Sequence, residues 1–436
     1  MNTSHQPGPI HPADELASIM ERIYRYRMTT TSGGNLSIRN DDGSVWITPA
    51  AIDKGSLGPR DIVCVRPDGT VEGKHKPSSE HPFHRLIYTA RPDLRAIVHA
   101  HPVALVAFSI CGERPNTRAF NRAHAVCGEV GFAPYALPGS EKLGENIAAE
   151  FARGVNCVML ENHGVVVGGA TLQQAFERFE TLEFTARILL KAKSLGAKVK
   201  YLTSEQLELA QRRSEILPTF VPSFADAREY GLRQELCQFI QRGYRQRLLT
   251  ATQGSFSARL SENAFVISPR KVDRATIQAS DLVLIKDSRQ EEGKEPSRSL
   301  ALHVAIYKKH PEVRSIAFAT PPNAAAFSIT FQGLDSRTIP ESYIFLRDVQ
   351  RIPYAAVYGN GDEVAATLSL SSPTAILENS GVLVLGKTVL DAFDRLEVLE
   401  STAEALIDGR TLGTIKPMSA SVIAELEAAF FGKGKK

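Results

Sequence analysis

The chain has 436 residues, enough for two domains of ordinary size, and its 43% hydrophobic and 23% charged content excludes intrinsic disorder. A net charge of only +3, with dispersed basic residues, excludes a nucleic-acid surface. No apolar run approaches the roughly 20 residues that span a bilayer, and the opening MNTSHQPGPIHPADELAS lacks a basic segment followed by an apolar one, so the expectation is a cytoplasmic protein with neither membrane nor nucleic acid as partner.

In chain order, residues 12–27 are predicted as an amphipathic helix. Short strands are predicted at Leu36–Ile38, Val45–Ile47 and Ile62–Val65, separated by DDG and PDG turns. A helix is predicted from the Pro-Ser-Ser-Glu segment to about Ala90, followed by a strand in AIVHAH. A helix at 140–153, a strand in NCVMLE, a tight His-Gly turn, a strand in VVVGG and a long helix from Thr171 to about Leu195 follow. Strand runs bracketed by helices imply an α/β/α layering around one central sheet. The five cysteines, Cys64, Cys111, Cys127, Cys157 and Cys237, lack CxxC spacing and read as reduced, mostly buried thiols.

The series then repeats. ELASIMERIYRYR from Glu15 reappears as ELCQFIQRGYRQR from Glu235, SGGNLSIR as TQGSFSAR, and ITPAAID as ISPRKVD. HRLIYTARPDLR matches HVAIYKKHPEVR, VAFSI matches AAFSI, and ENHGVVVGG matches ENSGVLVLG. Collinear similarity over both halves identifies a tandem duplication. The Pro- and Ser-containing ILPTFVPSFADA, about 216–227, is predicted as the linker, giving domains at 1–215 and 228–436, the second with a predicted first helix at 230–247. The terminal KGKK reads as a frayed tail.

Three motifs of the first copy carry chemistry. His99 and His101 stand at i and i+2 on a predicted strand, so both imidazoles face one side. With His163 from the ENHG turn as a third ligand they would complete a catalytic zinc site with one open position, although an HxH pair alone is also met incidentally. Glu80 lies where a helix begins. Ser78-Ser79-Glu80 reads either as an N-cap with an acidic first turn or as an anion site with an acid/base beside it. Gly33, Gly34 and Asn35 read either as a helix C-cap or as a close backbone approach to an anion.

Taken in order, TSGGNLSIR, ITP, KPSSEHPFH, HAH and ENHG resemble the class II aldolase/adducin family over residues 12–195, and the first copy resembles its L-fuculose-phosphate-type zinc aldolases. The resemblance implies two tandem α/β/α domains, each with a mainly antiparallel central sheet flanked by helices. It implies Zn²⁺, or another divalent transition metal, held by His99, His101 and His163, with Glu80 as general base. Gly34, Asn35, Ser78 and Ser79 are implied as contacts to a substrate phosphate. The implied activity is that of a lyase: C–C cleavage or formation in a sugar phosphate or related hydroxy-carbonyl compound, through a metal-stabilised enediolate. Two departures stand out. Ala50-Ala51 replaces a Thr-Gly or Ser-Gly pair, and Phe120, Asn121 and His124 occupy the region where the family carries a proton-donating tyrosine, which leaves the donor open with His124 as a substitute.

In the second copy His99 aligns with Phe318, His101 with Thr320, His163 with Ser380 and Glu80 with Ser299, so no catalytic zinc is expected there. His84 aligns with His303 in that copy, which favours a structural role for both. The family's sites lie between subunits, so the expectation is a homo-oligomer, a dimer of two-domain chains. The alternatives are an epimerase, dehydratase or decarboxylase of the same superfamily, or a metal-free adducin-like interaction module.

Overall fold

A computed structural model describes residues 10–211 and 217–431. The chain divides into two compact units, the first made of Met1–Thr117 and Arg122–Arg187, the second of Arg118–Asn121 and Ile188–Lys436.

In the first unit the order is α1 (Pro12–Arg25), β1 (Asn35–Arg39), β2 (Val45–Ile47), β3 (Val63–Val65), β4 (Val71–Glu72), α2 (His81–Ala90), β5 (Ala96–Ala100) and α3 (Val103–Ile110). Then come α4 (Asn121–Cys127), β6 (Val130–Ala133), α5 (Glu141–Ala152), β7 (Cys157–Leu160), β8 (Gly164–Gly169) and α6 (Leu172–Ser194). Among the described residues the strands form one eight-stranded sheet in the order β4-β3-β2-β1-β5-β8-β7-β6. Every pairing in it is antiparallel except β6 with β7. Phe83 and Ile87 of α2 and Leu143, Ile147 and Phe151 of α5 bury against Ile47, Val63, Ile97, Val158 and Val166 of the strands. The apolar side chains of the central strands thus find an apolar cover, as the hydrophobic effect favours.

The second unit runs α7 (Ser204–Gln211), β9 (Thr219–Phe220), α8 (Ala227–Arg245), β10 (Ser255–Ser261), β11 (Ala264–Ile267), β12 (Val283–Lys286), β13 (Arg289–Glu291), α9 (Leu300–Lys309) and β14 (Ser315–Ala319). It continues through α10 (Pro322–Ser328), α11 (Pro340–Leu346), β15 (Gln350–Ile352), α12 (Tyr354–Val357), α13 (Asp362–Thr367), β16 (Thr374–Leu377), β17 (Gly381–Gly386), α14 (Val389–Leu412) and α15 (Ala420–Phe431). Its sheet has the order β15-β16-β17-β14-β10-β11-β12-β13-β9, which is the first sheet's order with one strand added at an edge.

The registers carry the sequence repeat down to single residues. Asn35 pairs with His99 and His99 with Val166 in the first sheet. Ser255 pairs with Phe318 and Phe318 with Leu383 in the second. The helices α2 and α9 begin after Glu80 and Ser299 and both run ten residues.

Three features differ from the sequence expectation. The added edge strand β9 lies inside the expected linker: Gln290 N donates to Pro218 O at 2.8 Å and Glu292 N to Phe220 O at 3.0 Å. Proline lacks a donor, but an edge strand needs donors on one side only. Residues 188–211, placed with the first domain by sequence, group with the second unit, where Leu202 and Leu207 bury against Tyr354 and Lys200 Nζ meets Glu378 Oε1 at 2.9 Å. Finally, α3 and β6 were not expected. VALVAFSI in α3 is apolar on all sides and so shows no helical period. Glycine interrupts the four residues of β6, whose pairing with β7 is a tertiary event.

The expected KGKK tail lies outside the described residues. Cys64, Cys127, Cys157 and Cys237 are buried and Cys111 is exposed. No helix among the described residues is long and apolar enough to cross a membrane.

Candidate metal centre

The site assembles at the end of the central strands of the first unit. β5 delivers His99 from its interior and His101 from the residue just past its end. The tight turn between β7 and β8 delivers His163, after Asn162 adopts a left-handed φ of 53°. Ser109 of α3 pins that turn: its hydroxyl donates to Leu160 O at 2.7 Å and accepts from His163 N at 3.0 Å. Ser109 was not singled out from sequence, though it lies in the repeated VAFSI/AAFSI motif and so matches Ser328.

Gly34 opens β1 with φ +73°, and a Cβ there would come within 2.6 Å of His99 O. Only glycine combines that conformation with so close an approach. It lets Asn35 enter the sheet opposite His99.

One ring nitrogen from each of His99, His101 and His163 lies within 4.8 Å of the others. His99 Nδ1 sits 2.9 Å from Val165 O, and a carbonyl can only accept, so Nδ1 carries a proton and Nε2 is the nitrogen that faces the cluster. His101 Nε2 lies 3.0 Å from His99 Nε2. Imidazoles on a tetrahedral zinc, at about 2.0–2.1 Å each, would place their nitrogens about 3.3 Å apart. Glu80 closes the group, with Oε2 3.2 Å from His99 Nε2 and Oε1 3.7 Å from His163 Nε2. Its Oε1 is buried with no hydrogen-bond partner. Three imidazoles and a carboxylate with an orphaned oxygen are a donor set that fits a divalent transition ion.

The electrostatics follow from burial and proximity. Burial alone would raise the Glu80 carboxyl, but the charge of His99, its hydrogen bond and the Asn35 amide together hold it well below the usual range. Burial lowers His99, and Glu80 more than reverses it, so His99 is raised. Burial and the neighbouring imidazoles push His101 down to about 3 and His163 down to about 4. Lone pairs on both rings are therefore available at neutral pH, as metal ligation requires.

The other sequence candidates are distributed unevenly. Asn35 is buried beneath Glu80, its Nδ2 donating to Glu80 Oε2 at 2.7 Å and its Oδ1 lying 2.5 Å from His84 Nε2. Ser78 is buried, and its hydroxyl accepts from Glu80 N at 3.3 Å. Ser79 is exposed. Neither serine is the N-cap: that position is Glu80 itself, whose side chain makes no capping bond because it is turned to the histidines. Ala51 has φ +56°, a conformation glycine would adopt without strain, and Lys271 repeats it at φ +57° in the second unit. On α4, His124 Nδ1 lies 3.2 Å from Thr117 Oγ1.

The family model for the Class II Aldolase and Adducin N-terminal domain matches residues 14–190 and again 234–407. The chain belongs to this family, in a tandem two-copy arrangement. The 3-oxo-tetronate 4-phosphate decarboxylase of Haemophilus influenzae is 33% identical over 197 residues, covering 44% of this chain and 92% of that protein. The 5-deoxy-D-ribulose 1-phosphate aldolase of Bacillus thuringiensis serovar kurstaki is 34% identical over 206 residues, covering 46% of this chain and 94% of its own. The L-fuculose phosphate aldolase of Haemophilus influenzae is 32% identical over 180 residues, covering 41% and 82%. Each match spans about one copy's length of the chain.

In the second unit the positions matching the cluster hold Phe318, Thr320, Ser380 and Ser299. Thr320 Oγ1 donates to Gln253 Oε1 at 3.3 Å, and Ser380 Oγ donates to Glu378 O at 3.0 Å. Hydroxyls satisfied this way offer no imidazole or carboxylate to an ion.

Proposed function

We propose that the first unit is a divalent-metal lyase, with zinc the expected ion, that breaks or forms a C–C bond in a sugar phosphate or related hydroxy-carbonyl compound. The observation that carries this reading is the convergence of His99, His101 and His163 on one point, with the orphaned Oε1 of Glu80 beside it. His99 would hold the ion through Nε2, and His101 and His163 through the ring nitrogens that face it. When bound, the ion supplies a Lewis acid that polarises the substrate carbonyl and offsets the negative charge that C–C cleavage leaves on oxygen.

Glu80 takes or returns the proton at the substrate carbon, since Asn35 holds Oε2 and leaves Oε1 for that task. Gly34, Asn35, Ser78 and Ser79 remain the candidates for phosphate recognition. Asn35 would reach a phosphate only through its second amide N–H, because its oxygen and one N–H are engaged within the protein. The donor to the leaving group stays with His124 as the candidate.

Decarboxylation of a β-keto acid is the second reading, favoured by the similarity to decarboxylases. Loss of CO₂ and loss of an aldehyde from the carbon α to a carbonyl both leave an electron pair conjugated with that carbonyl, so one charge-stabilising site suits either. The test supplies ketose 1-phosphates and 3-oxo-tetronate 4-phosphate with Zn²⁺, and measures aldehyde by a coupled dehydrogenase and CO₂ separately. His99→Ala serves as the control. Turnover that survives this substitution would remove the proposal. A homo-oligomer, expected as a dimer, belongs to the same reading, and light scattering that shows a fully active monomer would remove that part.

A further inference from the structure

Behind Glu80 runs a buried row of hydrogen bonds. Tyr88 Oη lies 2.7 Å from Ser37 Oγ, and Ser37 Oγ 2.7 Å from His84 Nδ1. His84 Nε2 reaches Asn35 Oδ1, and Asn35 Nδ2 reaches Glu80 Oε2 at 2.7 Å. His84 and Ser37 are fully buried, and Asn35 is 3% exposed.

Chemistry fixes the direction of the links between Glu80, Asn35 and His84. An ionised carboxylate only accepts, so the Asn35 nitrogen must be the donor, and its oxygen must face His84 as an acceptor. His84 therefore carries its proton on Nε2. Its Nδ1 accepts from the Ser37 hydroxyl, whose oxygen accepts in turn from Tyr88. The row ends on Oε2 of Glu80, which also lies 3.2 Å from His99 Nε2, and leaves Oε1 buried and without a hydrogen bond, 3.7 Å from His163 Nε2.

The second unit separates framework from function. Tyr307 Oη lies 2.8 Å from Ser257 Oγ, and Ser257 Oγ 2.7 Å from His303 Nδ1, so the upper part of the row persists. His303 Nε2 then meets Ser255 Oγ at 3.1 Å, and with Ser299 in place of Glu80 the row stops there. The fold thus uses Tyr, Ser and His in both units, whereas Asn35 and Glu80 occur together only where the histidine cluster stands.

We propose that Asn35 is a positioning residue for Glu80: its amide clamps Oε2 and so aims Oε1 at the metal site. This rests on the reading of the first unit as a metal centre. His84 acts one step further back, fixing the Asn35 amide by donating to its oxygen.

The test is a double-mutant cycle on metal binding alone, using Asn35→Ser (the residue of the second unit) and Glu80→Ala. Zn²⁺ affinity is measured by competition with a chromophoric chelator, and Co²⁺ binding by its visible spectrum. Asn35→Ser is expected to weaken Zn²⁺ about 10-fold in the wild-type background and to alter the Co²⁺ bands. In the Glu80→Ala background it changes neither. An equal loss in both backgrounds, or no loss in the wild type, overturns the proposal while leaving the metal centre intact. A wild-type chain that binds neither ion overturns the metal centre and the proposal with it. Asn35→Leu, branched like asparagine but without donors, gives the same cycle if the serine variant does not fold.

Discussion

Asn35 on β1 stands directly opposite His99 on β5, and Ser255 stands opposite Phe318 at the same register of the second unit. Matching strand registers thus place an Asn–His pair in one copy and a Ser–Phe pair in the other. The fold persists without the histidine cluster, and four consequences of the proposed metal centre and of the packing around it can be measured.

Metal content should be one divalent ion per chain. His99→Ala or His163→Ala should bring it close to zero, because three imidazoles are needed to hold the ion. At free ion one hundred times Kd, the loaded protein should be about 2.7 kcal/mol more stable than the stripped one, seen as a Tm that falls on chelation. Elemental analysis finding two ions per chain would contradict the assignment of the second unit.

Ser109→Ala should loosen the His163 turn. It removes one hydrogen bond each from Leu160 O and His163 N, which stay bonded to one another at 3.1 Å, a loss of about 0.5–1.5 kcal/mol per bond. Zn²⁺ affinity should fall together with thermal stability, whereas a purely structural serine would change stability alone.

Gly34→Ala should cost about 2 kcal/mol or more, since it adds a Cβ at φ +73° within 2.6 Å of His99 O. Gly69→Ala is the control. It has φ +88° with nothing within 4 Å of the added carbon, so it should cost only about 1 kcal/mol of backbone strain. Equal losses in denaturant unfolding would show that the close approach to His99 is unimportant.

His303 should make the second unit acid-sensitive. Burial holds its pKa down to about 3, against an unfolded value of about 6.5. The unfolded chain therefore takes up a proton that the folded one refuses. Its contribution is complete above the unfolded pKa and is lost as pH falls toward 3, by about 1.4 kcal/mol per pH unit. The Tm gap between the wild type and His303→Gln should narrow steadily over that window, and a constant gap would exclude this cause.

The site was legible in the sequence to an uneven degree. Residue type and spacing left His99, His101 and Glu80 open to a bland reading; the family resemblance singled them out with His163, and their replacement by Phe318, Thr320, Ser380 and Ser299 favoured a chemical role over a structural one. Asn35 was also found, but as a phosphate contact; its engagement with Glu80 and His84 depends on partners 45 and 49 residues away. Ser109 escaped notice because a serine in an apolar run says nothing of the turn it will pin. The edge strand β9 was read as linker because prolines flank it, and edge pairing is decided by what the neighbouring strand leaves unpaired.

Sequence alone determined the duplication, the strand and helix pattern of each copy, and which copy holds the metal-ligating residue types. Those properties are local or repeat at a fixed shift, so one dimension suffices to show them. Tertiary structure decided which nitrogen of His99 faces the cluster, where Asn35 spends its amide, and with which unit residues 188–211 pack. Such choices turn on hydrogen-bond direction and burial between distant segments, and those exist only once the chain has folded.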